Sequence, residues 1–496
     1  MPDYDLIIRN GSLIDGTGVP PRLGDLAVSG DRIEAAGRVT GSAAREIDAR
    51  GLAVAPGFID VHTHDDAAVI RDPRVDFKIM QGVTTDVAGN CGAGVAPAND
   101  AFRLYYAAGF APILGECNLP WSTTAEYFAA VDEALPACNV AAYVPQGVVR
   151  YNVVGLEKGP PTEAELARMT ELVEEGMRAG AIGMSTGLVY LPGAYAQTPE
   201  IVALAKVVAR HGGIYTSHIR NEGTGLLGAV EEAISIGEQA GCHVQLSHHK
   251  SAGPGAYGLT KESLALVARA RARGVSVTLD AYPYVASSSS LAAMFRIGRG
   301  AAFEQVPAII ASVKYDHERY EGRYISDIAA ELDLPVLDAI RKILHDEENS
   351  PSVIMFVMDE DDVRRVIADA HCMIGSDGLP SEGKPHPRLY GTMARTIQQY
   401  VREQPLLPLE EAVRKMTSLP ARTHLLKDRG ELRPGAFADV VVFDPETIAD
   451  VGTYQEPRQY PAGIEYVVVN GKVAVDQGRQ TDARAGRMLR HAAAGA

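Results

Sequence analysis

The chain has 496 residues, 46% of them hydrophobic and 22% charged, with a formal net charge of −16. That length fits several domains, or one barrel enzyme with an appended small domain, and the apolar content fits a large core. The acidic residues are scattered and no basic patch is visible, which argues against nucleic acid as a partner and leaves any anionic substrate to local cations inside a pocket.

In chain order, the first fifty or so residues read as short strands and turns. Tyr4 to Ile8 alternates, Asn10-Gly11 marks a turn, and Gly24 to Val28 and Arg32 to Ala35 continue the pattern. From about Ala53 to Leu425 one unit repeats: a short apolar strand, a loop, a segment of helical period. The candidate strands are Ala53–Val61, Thr84–Ala88, Val140–Val144, Ala181–Ser185, Gly213–Ser217, Val244–Ser247, Val275–Asp280 and Met373–Ser376. Helical stretches such as Glu163–Arg178, Ile201–Arg210, Leu226–Ala240 and Glu262–Arg273 lie between them, and Thr162 with Glu165 forms a capping-box signature. Eight strands alternating with helices predict an α/β fold, a parallel (β/α)8 TIM-like barrel. Residues from about 285 to 352 break the rhythm and read as an insertion between strands seven and eight, a candidate lid. The C-terminus returns to strands at Ala438–Phe443 and Tyr466–Val469, with a hairpin signal at Asn470-Gly471. The expected division is a small β domain from residues 1–55 and 426–496, flanking a catalytic barrel over 56–425.

The five cysteines, Cys91, Cys117, Cys138, Cys242 and Cys372, are odd in number and irregularly spaced, so no disulfide framework is expected and a cytoplasmic location is. The first residues carry acids where a signal peptide would carry positive charge. No stretch reaches the roughly 18 apolar residues of a membrane span. A soluble chain without a membrane partner is expected; its oligomeric state is open, a monomer being compatible.

Catalytic groups of such a barrel gather where strands end at the C-terminal face. Strand one ends in His62-Thr63-His64, strand two in Asn90-Cys91-Gly92, strand five in His218, strand six in His248-His249 and strand eight in Asp377. Two histidines one residue apart on an extended segment face the same way, so both can reach one ion. Alone, each residue has a plainer reading: a hydrogen-bonded histidine, an apolar cysteine, an Asp-Gly turn. Their gathering at one end of five strands favours a metal, and imidazole with thiolate and carboxylate suits zinc better than magnesium or calcium. Strands five and six both end in Ser-His, which makes His248 the inward residue and His249 a packing or supporting one. His211, His243, His371 and His424 lie at helix ends or strand starts and read as structural.

Pro56 to His64 resembles the strand-one signature of the amidohydrolase superfamily. Gly89-Asn-Cys-Gly92, Ser247-His-His-Lys250, Asp280-Ala-Tyr-Pro-Tyr284, Gly375 to Pro380 and His386 to Gly391 are similar to motifs of the N-acyl-D-amino-acid deacylases. Many superfamily relatives bridge two metals with a carboxylated lysine at strand four, where this chain has Gly183-Met-Ser-Thr-Gly187 and no lysine. The resemblance implies zinc-dependent hydrolysis of an N-acyl-D-amino acid, the small-molecule partner. It implies one tightly bound zinc on Cys91, His218 and His248, and a second, weaker position on His62 and His64 with Cys91. Asp377 is then the general base and Tyr190 the hydrogen-bond donor to the carbonyl oxygen. Arg388, Lys250 and Tyr282, with a hydroxyl from Ser287 or Ser288, bind the α-carboxylate. Arg296 is a candidate for an acidic substrate side chain. The alternatives are a cyclic amide hydrolase of the dihydropyrimidinase or dihydroorotase type, which would want the missing strand-four lysine, and a non-catalytic scaffold, which would have eroded ligands.

Overall fold

The structure, a computed structural model, describes residues 2–492 other than 110, 116 and 296–299; Arg296 therefore lies outside the described residues. The barrel strands are Phe58–Asp60, Val83–Ala88, Asn139–Ala142 continued by Val144–Pro145, Gly183–Gly187, Ile214–His218, His243–Leu246, Val277–Ala281 and Cys372–Ile374. Neighbours pair in parallel. Strand eight returns to strand one through a parallel bridge between Thr63 and Gly378, and through the amide of Asp377, which donates to the carbonyl of His62 at 2.7 Å.

The outer helices follow from sequence. Glu163–Ala179 opens on the expected box, with Thr162 Oγ1 accepting from the amide of Glu165 at 3.3 Å and the Glu165 carboxylate accepting from the amide of Thr162 at 2.7 Å. It ends at Gly180, whose φ of 105° suits a residue without Cβ. Met169, Leu172, Val173 and Met177 form its buried stripe, each worth about 1.5–3 kcal/mol in apolar burial.

Both ends of the chain build one nine-stranded sheet. Val440–Phe443 runs antiparallel to Ala53–Pro56, which pairs with Tyr4–Leu13. The single strand expected over Ala53–Val61 is in fact shared: Ala53–Pro56 belongs to this sheet and Phe58–Asp60 to the barrel. Gly57 sits at the crossing, where a Cβ would fall 2.2 Å from the Thr84 side chain. An unbroken apolar run carries no sign of a change of sheet.

Between strands seven and eight, Ser287–Ser290, Ala308–Ser312 and Ser352–Met355 form an antiparallel sheet, with helices Ile325–Glu331 and Val336–Asp346 between its strands. Among the described residues no helix is long and apolar enough to cross a membrane.

Beneath the barrel mouth, Lys78 is fully buried and pairs with Asp60 at 2.6 Å, Asp65 at 3.2 Å and Asp86 at 3.8 Å. Its Nζ also donates to Ser376 Oγ at 3.0 Å, while Asp60 accepts from the amide of Ser376 at 2.8 Å. Strands one and eight are clamped just below the point where each turns into the mouth.

Candidate metal centre and active site

Cys91 is the hub. Its Sγ lies 3.3 Å from His62 Nε2, 3.4 Å from His248 Nε2 and 3.7 Å from His218 Nδ1. Three sets of side chains bring one ligand atom each within 4.8 Å of one another: Cys91 with His218 and His248, Cys91 with His62 and His64, and Asp377 with His62 and His248. All six residues are buried. Cys91, His248 and Asp377 hold positive φ angles of 54°, 35° and 50°, left-handed conformations that cost each non-glycine residue about 1–3 kcal/mol. In each case the chain turns sharply at a strand end, and the turn aims the side chain across the mouth.

Burial opposes ionisation of the Cys91 thiol, but the charges of His62 and His248 outweigh it and hold the thiol well below its ordinary range. Asp377 behaves alike: burial pushes it up, and Arg388 with His248 brings it well below a normal carboxyl. Asp377 Oδ1 lies 3.3 Å from His64 Nε2 and 3.6 Å from His62 Nε2, and Oδ2 lies 2.9 Å from a terminal nitrogen of Arg388. Burial keeps the Tyr190 phenol protonated, and its hydroxyl meets Ser289 Oγ at 3.2 Å.

A cavity of about 760 Å³ opens over these residues and is also lined by Lys250, Tyr282 and Ser287 to Ser290. Arg388 stacks on the Tyr282 ring, 4.4 Å from its centroid. The Tyr282 hydroxyl and Arg388 Nε are buried without a hydrogen-bond partner among the described residues, an arrangement native interiors seldom leave unfilled. Ser287 and Ser288, the serines expected at the substrate carboxylate, line the same cavity. Ser288 offers its carbonyl to Arg388 at 3.4 Å, and the side chain that meets Tyr190 is that of Ser289.

The amidohydrolase family model matches residues 45–317 and 361–475. An N-acyl-D-glutamate deacylase of Alcaligenes xylosoxydans xylosoxydans is 42% identical over 98% of this chain and 96% of its own length. The chain belongs to the N-acyl-D-amino-acid deacylases, within the amidohydrolase family. A crystal structure of N-acyl-D-glutamate deacylase from Bordetella bronchiseptica, complexed with zinc and a phosphonate mimic of the tetrahedral intermediate, superposes with a TM-score of 0.91 at 42% identity, covering 98% of this chain and 99% of that one. A D-aminoacylase structure, described as having a binuclear metal centre with one-metal activation and second-metal attenuation, gives 0.91 at 40% identity over 98% and 100%.

In this deacylase-family chain two carboxylates that the sequence reading left without a role stand behind the imidazoles. Asp280, from strand seven, lies 3.1 Å from His62 Nδ1 and accepts from the amide of His248 at 2.8 Å. Glu222 Oε1 lies 3.1 Å from His248 Nδ1, and its Oε2 lies 3.7 Å from His218 Nε2. Each turns the far ring nitrogen outward and leaves the near one facing Cys91, the usual task of a carboxylate behind a ligating histidine. Glu222 also accepts from Lys250 Nζ at 2.6 Å, so the lysine expected at the substrate carboxylate already carries a neutralising partner. The signal for Glu222 was its place four residues after His218. His249 turns away, its Nε2 2.8 Å from Ser263 Oγ. His211, His243, His371 and His424 meet Glu174, Ser276 with Thr278, Asp369, and the carbonyl of Pro420.

Proposed function

We propose that the chain hydrolyses the amide bond of N-acyl-D-amino acids to a carboxylate and a free D-amino acid, with zinc held by Cys91, His218 and His248. The observation that carries this reading is the meeting of one thiolate and three imidazole nitrogens at 3.3–3.7 Å beside Asp377. The donor set fits the ion: a tetrahedral zinc with Zn–S of about 2.3 Å and Zn–N of about 2.0 Å separates sulfur and nitrogen by roughly 3.5 Å. His62, His64 and Cys91 make a second donor set, sharing the thiolate, for a weaker ion.

When bound, zinc supplies Lewis acidity that polarises the amide carbonyl and makes water nucleophilic near neutral pH. The protein supplies the proton traffic and the grip. Asp377 takes a proton from the attacking water and delivers it to the amide nitrogen as the C–N bond breaks. Tyr190, kept protonated, donates to the carbonyl oxygen as negative charge grows there. Arg388 offers a planar guanidinium to the α-carboxylate, and the unpartnered Tyr282 hydroxyl supports that grip. Arg388 also faces Asp377, so an arriving carboxylate shares the guanidinium with the base.

The five cysteines are unpaired, which supports a reducing, cytoplasmic setting. The missing strand-four lysine disfavours the cyclic amide alternative. The decisive assay detects amine released from matched N-acetyl-D- and N-acetyl-L-amino acids, before and after chelation. Chelator-sensitive hydrolysis of the D series is expected; hydrolysis of the L series alone overturns the assignment.

A further inference from the structure

The cavity is far larger than an N-acetyl amino acid requires, since about 760 Å³ lies within the range of sites for drug-sized ligands. Its charged groups, not its apolar ones, are segregated by barrel sector, since the insertion after strand seven also contributes Ala292, Met294, Met355 and Val357. Lys250, Tyr282 and the four serines come from the segments after strands six and seven, with Arg388 beyond strand eight behind Asp377. The segments after strands two, three and four contribute Phe102, Tyr105, Leu114, Val148, Leu156 and Leu191, and no charged side chain among the described residues. The Tyr105 hydroxyl is turned to the carbonyl of Leu191 at 3.2 Å, which leaves its ring as wall.

Between Cys91 and this apolar wall the cavity is lined by the glycines Gly92, Gly147 and Gly187, with Tyr190 beside them. A Cβ on Gly187 would fall 2.0 Å from the carbonyl oxygen of Cys91, and one on Gly147 2.6 Å from that of Gly92. The segments approach so closely that only glycine fits, and the side chain beside them is the Tyr190 ring, 3.1 Å from where a Gly187 Cβ would stand.

An N-acyl amino acid is linear: carboxylate, α-carbon, nitrogen, carbonyl, acyl chain. With the carboxylate held on the strand six-to-eight side and the scissile carbonyl at the donor set, the acyl chain leaves over strands two to four. We infer that this sector is an acyl pocket, and that the chain prefers N-acyl-D-amino acids with a medium-chain fatty acyl group over the N-acetyl form. This rests on the deacylase reading of the same site. The amino-acid side chain branches from the α-carbon, beside the carboxylate, and falls in the other half of the cavity.

Each buried methylene is worth about fourfold in binding. With allowance for incomplete burial, N-octanoyl-D-alanine is expected to exceed N-acetyl-D-alanine in kcat/KM by on the order of 100-fold, with N-acetyl-D-leucine as the control for side-chain occupancy. Leu156→Asp, half-exposed at the mouth, and Leu191→Asp place charge on the wall, and either should lower the octanoyl-to-acetyl ratio at least about fivefold. The ratio cancels any loss of folded protein. Equal rates on the two alanine substrates overturn the acyl pocket, as does a gain from N-acetyl-D-leucine alone, or a ratio unmoved by both variants. Failure to hydrolyse any of the three D substrates strikes the proposed function instead.

Discussion

The sixth barrel strand has a histidine at each end, and the two live under opposite rules. At its start, His243 has both ring nitrogens engaged, by Ser276 Oγ at 2.7 Å and Thr278 Oγ1 at 2.8 Å; burial pushes its pKa down to about 4, so it stays neutral. Just past its end, His248 presents one nitrogen to Cys91 and the other to Lys250 Nζ at 2.7 Å and Glu222 at 3.1 Å. One is saturated by hydroxyls and holds strands together, while the other has a nitrogen committed only to a point in the cavity. The same contrast separates the two ends of the whole barrel, where conserving a strand's packing and exposing its chemistry are divided between base and mouth.

The largest effect that would break this contrast is at the hub. Cys91→Ala should lose both zinc, measured by elemental analysis, and turnover. Asp377→Asn should lower kcat by about 10⁴-fold while zinc content stays near that of the parent, since its role is to move a proton. His243→Gln, at the base, should keep both. Comparable activity in the Asp377 variant, or zinc loss on changing His243, would erase the division.

The division also explains what could be read from the sequence. Ligand-type residues at strand ends are legible because strand order and residue chemistry together leave few places for them: His64, Cys91, His218, His248 and Asp377 line one cavity, and His62 clusters with them. The cavity walls are not. Ser289 meets Tyr190 because an antiparallel strand sets the facing, and nothing in a run of four serines marks its register. The change of sheet at Gly57 depends on a contact with Thr84 that lies 27 positions away in sequence. Asp280 acts through His62 and His248, and Glu222 in part through His248, all brought by other strands, so these roles appear only when the barrel closes; the spacing from His218 to Glu222 was the one local sign.

A smaller effect tests whether the mouth is as prearranged as its hydrogen bonds imply. Glu222→Gln keeps the shape of the side chain but removes the charge that holds His248 and pairs with Lys250. Zinc affinity, from competition with a chelator, should fall about 10–100-fold, with secondary structure and thermal midpoint close to the parent. Unchanged affinity would mean that Glu222 serves only to neutralise Lys250.

The smallest effect belongs to the packed histidines and reads stability alone. His424 is fully buried, with Nδ1 2.9 Å from the carbonyl of Pro420, and burial pushes its pKa down to about 4. Its folded pKa lies below the unfolded value of about 6.5, so the unfolded chain binds the extra proton. The neutral ring therefore contributes stability that is fully present above about pH 6.5 and is lost as pH falls toward 4, with a slope of at most about 1.4 kcal/mol per pH unit for one group. Urea midpoints measured from pH 7.5 to 4.5 should decline in the parent and decline less steeply in His424→Gln, which has no proton to take up. Parallel declines in the two proteins would show that the ring titrates alike folded and unfolded, and that burial away from the mouth does not distinguish this histidine from an exposed one.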